Sequence, residues 1–151
     1  MPEFKPGKFI RLSQRDLEWG SKKIGNTPYF IKDFGCTITC IAMASSWFND
    51  YHNPEWMSKN LQFTPDAKVY WTSIEKVLNF KFEWRFYSFQ QDRITSALKD
   101  SKKVCLFEIK KKHWVLGIRK SIYSWSKWYK VADPWTGEYN WVHAKIGRAH
   151  V

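Results

Sequence analysis

The longest block of apolar positions in the chain runs from Cys36 to about Phe48, "CTITCIAMASSWF". On a 3.6-residue period, Ile38, Ile41 and Ala42 fall on one side, and Met43, Ala44, Trp47 and Phe48 fall on others. A helix that is apolar all round belongs in the middle of a domain. The pattern therefore predicts a central buried helix that starts directly after Gly35. Ahead of it, residues 1–13 read as an extended lead-in with Pro2, Pro6 and Gly7. "SQRDLEWGSKKIGNTPYFIKDFG" is turn-rich, with a short helix expected near Arg15–Trp19.

Beyond the central helix the periods are shorter. "NPEWMSKNL" predicts a short helix with Asn53 as N-cap and Pro54 in the first turn. After the loop "QFTPDAKVY", the stretch "WTSIEKVLNF" spaces Trp71, Ile74, Val77 and Leu78 as an amphipathic helix. "FEWRFYSF" alternates like a strand, and "QDRITSALKDS" reads as another helix. Three strands follow, "KVCLFEI", "HWVLGIR" and "WYKVADP". Helices first and strands last give an α+β class, with the consecutive strands forming an antiparallel sheet.

Composition narrows the picture. The chain of 151 residues is 44% hydrophobic and 19% aromatic, which fits one folded domain and argues against disorder. No apolar run reaches the roughly 18 residues of a membrane helix, and the N-terminus lacks a signal-peptide core. Cytoplasmic synthesis is expected, with phage or cell-wall delivery as the other route. A net charge of +11 favours an acidic partner: nucleic acid, an anionic wall polymer or an acidic protein. The lysines are scattered, however, with short clusters only at 22–23, 102–103 and 110–112. They read as a solvated basic surface, not as a dedicated nucleic-acid site. The last six residues, "IGRAHV", match one reading frame of a common sequencing adapter. The domain is accordingly set at 1–145, and 146–151 are set aside as a non-native tail.

Cys36, Cys40 and Cys105 are too few for a disulfide scaffold and are expected to be reduced thiols. Cys36 and Cys40 share a helix face but lack the two further ligands zinc would want, so no metal or cofactor is expected. Nucleophilic catalysis by cysteine needs a thiolate, a base, an orienting group for that base, and oxyanion donors. Cys36 lies at the start of the buried helix, where the macrodipole favours negative charge. A thiol so placed and paired with a protonated histidine has its pKa lowered to about 3.5–7.5. Cys40, one turn deeper, reads as core.

His113 opens the strand "HWVLGIR", and Asp133 ends the next, held extended by Pro134. If those strands are antiparallel neighbours, the carboxylate lies beside the imidazole, as needed to orient it. Gln14, in "LSQRDLEW", has a side-chain amide able to join the Cys36 N–H in an oxyanion hole. His52 and His143 stand in polar or terminal contexts with no such partner. Taken singly, each of these residues also fits an ordinary structural role. In the order Gln, Cys, His, Asp they fit a cysteine hydrolase.

At these residues the chain resembles the papain-like cysteine peptidases, specifically the bacteriocin-processing, double-glycine-leader family (family thirty-nine of the cysteine peptidases). The resemblance runs from about Leu12 to Gly137. It rests on Gln14 with Trp19, on Gly35, Cys36, Thr39, Ala42 and Met43, on His113 with Trp114 and Val115, and on Asp133, Pro134 and Gly137. It implies Cys36 as nucleophile, His113 as general base, Asp133 as orienter and Gln14 as oxyanion donor. The implied architecture is a buried helix carrying the cysteine, packed on an antiparallel sheet carrying His and Asp. The family's bacteriocin processors are usually fused to a transporter and an ATPase, and neither is present in these residues, so double-glycine cleavage is not carried over. The expected substrate is a peptide or protein, acted on by a monomer. Two alternatives stand beside it: a peptidoglycan amidase or endopeptidase of a phage or bacterium, and an inactive binding module that keeps the fold.

Overall fold

A computed structural model describes residues 9–83, 85–86, 91–109, 113–121, 127–143 and 148–150, with 85–86 and 148–150 described through their backbone only. The helices among them are α1 (Ile31–Phe34), α2 (Cys36–Trp47), α3 (Pro54–Asn60), α4 (Trp71–Val77) and α5 (Gln91–Lys99). The strands are β1 (Arg85–Phe86), β2 (Cys105–Ile109), β3 (His113–Lys120), β4 (Trp128–Asp133), β5 (Glu138–His143) and β6 (Arg148–His150). Strands β2 to β5 form an antiparallel meander, and the two short strands extend it in the order β1-β6-β2-β3-β4-β5. The α+β class expected from the sequence is the class observed.

The sheet is covered on both faces over β2–β4, which is why β3 reads as a nearly continuous apolar run. One face packs Leu106, Trp114, Leu116 and Ala132 against Ile38, Ile41 and Met43 of α2. The other packs Phe107, Val115, Tyr129 and Val131 against Ile94 and Ala97 of α5. Helix α2 is buried from Ile38 to Ser46, as its pattern requires. Its two serines stay buried because their hydroxyls donate back into the helix, Ser45 to the Ala42 carbonyl at 2.7 Å and Ser46 to Met43 at 2.6 Å. Helix α3 starts as expected, with the Asn53 side chain accepting from the Trp56 N–H at 2.8 Å.

Four local expectations change. Arg15–Trp19 is a series of turns, not a helix, because the Asp16 carboxylate accepts the Glu18 N–H and competes with helical bonding. The short helix of that region is α1, sixteen residues further on by its first residue, a shift the turn-rich composition did not disclose. Strand β5 has no counterpart in the sequence reading, since its residues are mostly exposed and carry no inward apolar alternation. The backbone of 148–150 pairs with both β1 and β2, although the segment was set aside as a tail. Strand pairing uses main-chain groups and accepts almost any sequence that reaches an open edge. Within the expected strand 82–89, positions 84 and 87–89 lie outside the described residues, as does position 90 after it. So do the prolines and glycine of the lead-in, the lysines at 110–112, and positions 146, 147 and 151.

Candidate active site

The turn into α2 is set by packing. Gly35 has an ordinary backbone conformation (φ −87°, ψ 20°). A Cβ there would stand 2.5 Å from the Ile31 carbonyl oxygen and 2.7 Å from the Ile31 Cγ2, so only glycine allows α1 to fold this closely against the start of α2. The result is a Cys36 side chain that is half-buried at the helix N-terminus.

His113 and Asp133 meet through sheet register. Leu116 lies opposite Ala132, so Val115 stands opposite Asp133 and His113 is its diagonal neighbour on the same face. His113 Nε2 and Asp133 Oδ1 are 2.8 Å apart. The carboxylate is held from two more sides: Oδ1 accepts the Trp135 N–H at 2.9 Å, and Oδ2 accepts from Asn140 Nδ2 at 3.2 Å. Burial alone would raise the Asp133 pKa, but the His113 bond, the Trp135 N–H and the Asn140 amide outweigh it and hold it below the usual carboxylate value. With Nε2 committed to Asp133, Nδ1 is the ring nitrogen left for Cys36.

The thiol and the imidazole shift each other in opposite directions. Burial raises the Cys36 pKa. Hydrogen bonding to His113, the Trp114 backbone N–H, the charge on His113 and the Thr37 hydroxyl together bring it below the ordinary thiol value. Burial lowers the His113 pKa, yet bonds to Asp133 and Cys36 push it up to about 9. The pair is therefore disposed to sit as thiolate and imidazolium. Cys40 is the opposite case. It is fully buried, its thiol donates to the Trp114 carbonyl at 3.4 Å, and desolvation raises its pKa well above the ordinary value. Burial likewise pushes Cys105 up to about 12.

Gln14, the expected oxyanion donor, has its side chain against α1. It is almost fully buried, and its Nε2 donates to the carbonyls of Lys32 (3.0 Å) and Ile31 (3.5 Å). The Ile31 carbonyl already accepts the Gly35 N–H at 2.8 Å, so Gln14 adds a second, longer contact there and donates to the Lys32 carbonyl. In this placement the amide nitrogen faces main-chain acceptors. The Gln14 backbone N–H donates to the Pro134 carbonyl at 2.7 Å, and Ser13 Oγ donates to the Trp135 carbonyl at 3.1 Å. Gly137, in the left-handed region at φ 76°, lets Ser13 approach to where a Cβ would be 3.2 Å away. The segment carrying Gln14 thus braces the turn after Asp133.

Sequence reasoning missed three contributors. Asn140 lies on the unrecognised β5 and touches Asp133 only because Val131 is its register partner. The Trp114 N–H and the Thr37 hydroxyl act on Cys36 through backbone placement and carry no motif. His52, expected to lack a carboxylate partner, has one: its Nε2 is 3.2 Å from Asp50 Oδ1, and its ring stacks on Trp56 at 3.7 Å. Among the described residues no group of three or more His, Cys, Asp or Glu is arranged to hold a metal ion.

Cys36 and Thr37 form part of the wall of a cleft of about 650 Å³. Tyr29, Phe34, Val69 and Trp71 give it apolar surface, and Lys68 and Glu108 give it charge of both signs. Compared with family models, curated proteins and solved structures, the chain gives no match. Function is therefore read from the site alone.

Proposed function

We propose that this protein is a cysteine peptidase of papain-like architecture, hydrolysing a peptide or isopeptide bond through a thioester. The observation that carries the reading is the connected row Cys36–His113–Asp133. In it the thiol is shifted down, the imidazole up and the carboxylate down, each by the neighbour the chemistry requires. A thiol on a helix N-terminus, packed on an antiparallel sheet that carries the base and its orienter, also supports the architecture.

His113 holds the proton taken from Cys36, and the thiolate sulfur attacks the substrate carbonyl carbon, forming the C–S bond. The oxyanion develops at the N-terminal end of α2, where first-turn N–H groups carry partial positive charge. As the tetrahedral species collapses, the C–N bond breaks and His113 gives its proton to the departing amine. Water then loses a proton to His113 and attacks the thioester, releasing the acid and restoring the thiol. Asp133 keeps Nε2 protonated and the ring oriented throughout. The acyl part of the substrate lies along the cleft beside Cys36.

Mass spectrometry after treatment with a thiol-alkylating peptide warhead tests the reading. Single labelling at Cys36 is expected. Labelling at Cys40 or Cys105, or none, overturns it. Parallel digests of a peptide library and of purified peptidoglycan then identify the bond. Cleavage of peptidoglycan alone would replace the peptidase by the wall-hydrolase alternative.

A further inference from the structure

Away from the cleft, the face of the sheet that packs α2 continues onto β5, where Tyr139 and Trp141 are exposed. Register puts Trp128 opposite His143, Lys130 opposite Trp141, and Arg119 opposite Lys130, so these five side chains share that face. Trp128 and Trp141 are each 47% exposed, a large outlay of aromatic surface for two adjacent strands. Cations are ordered over the rings: Arg119 lies 5.1 Å from the Trp141 centroid, and Arg11 and Lys130 lie 4.6 and 4.4 Å from that of Tyr139. The two carboxylates of these strands, Asp133 and Glu138, occupy register-partner positions on the opposite face. Residues far apart in sequence are thus gathered into one basic, aromatic strip on a chain of net charge +11.

We propose that this strip binds a single-stranded polynucleotide. Fixed cations would track the phosphates, and Trp128 and Trp141 would stack on bases, whose π-faces any sequence supplies. A polyphosphate or polyol-phosphate polymer would engage the cations and leave the rings idle. Double-stranded nucleic acid keeps its bases stacked inside and would do the same. The scatter of lysines along the chain pointed to a merely solvated surface; the fold shows that arginine and tryptophan, brought together by register, form the strip.

The test is fluorescence anisotropy of a labelled oligothymidylate titrated with the full chain, with its duplex form and polyphosphate as competitors. The single strand should bind more tightly than either competitor. Trp141→Leu, which keeps apolar bulk and removes the ring, should weaken binding about fivefold or more. Arg119→Gln and Lys130→Gln should each lower the salt dependence, by about 0.7 in the slope of log affinity against log salt. Absence of binding, equal competition by polyphosphate, or unchanged affinity in a folded Trp141→Leu variant would overturn the proposal. Peptidase activity is not part of this readout, so the two proposals stand or fall separately.

Discussion

The first and second turns of α2 carry the same side chain under opposite conditions. Cys36 and Cys40 are four residues apart, yet one thiol is shifted towards ionisation and the other far away from it. Burial acts on both in the same direction. The difference is the partner: Cys36 reaches an imidazole and a main-chain N–H, whereas Cys40 reaches only the Trp114 carbonyl, an acceptor that prefers a neutral thiol. A single residue of the adjoining strand, Trp114, therefore offers its donor to one sulfur and its acceptor to the other. Reactivity here is decided at strand β3, within one turn of helix.

The sharpest way to break that contrast is to remove one thiol at a time. Cys36→Ala should lower turnover by on the order of 10⁶-fold while circular dichroism and melting stay near those of the parent. Next is the carboxylate: Asp133→Asn should lower kcat by about 10⁴-fold, since the wrong tautomer of His113 is then favoured. The same variant should bring the His113 titration, followed by NMR, down from about 9.

The histidine also gives a pH signature. Its folded pKa lies above the unfolded value of 6.5, so its stabilising contribution is complete below about pH 6.5 and is lost as pH rises through about 9. Melting temperature followed from pH 6 to 10 (roughly that window) should fall more steeply in the parent than in His113→Gln. Cys36 should react with iodoacetamide at pH values where an ordinary thiol has become slow, and Cys40 only after unfolding. The smallest effect is expected at Cys40: Cys40→Ala should cost about 1–2 kcal/mol in denaturant unfolding and leave labelling of Cys36 intact. Loss of that labelling would mean that the second turn supports the first more directly than its hydrogen bond suggests.

What could be read from the sequence was whatever depends on burial or on chain order. Helix α2 was legible because every face of it is apolar, and β2–β4 because both sheet faces are covered. The meeting of His113 with Asp133 followed from antiparallel neighbours, the start of one strand lying beside the end of the next. The features that escaped depend on docking and exact register. Gln14 was recognised as part of the site region, but the direction of its amide follows the carbonyls of Ile31 and Lys32, which no pattern announces. Asn140 needed β5, a strand whose residues are mostly exposed. Gly35 was legible only as the residue before the helix; its constraint is Ile31 pressed against it.

The brace across the Asp133 turn also has a consequence for how the protein is made. Its Ser13 and Trp135 ends are separated by 122 residues, while the thiol belongs to the first quarter of the chain. On a ribosome Cys36 emerges 77 residues before the imidazole of His113 and 97 before the carboxylate of Asp133. Until then Cys36 is an ordinary thiol. On the proposed reading, a row assembled from such distant segments keeps the growing polypeptide from acting on itself or on its neighbours before His113 and Asp133 are in place.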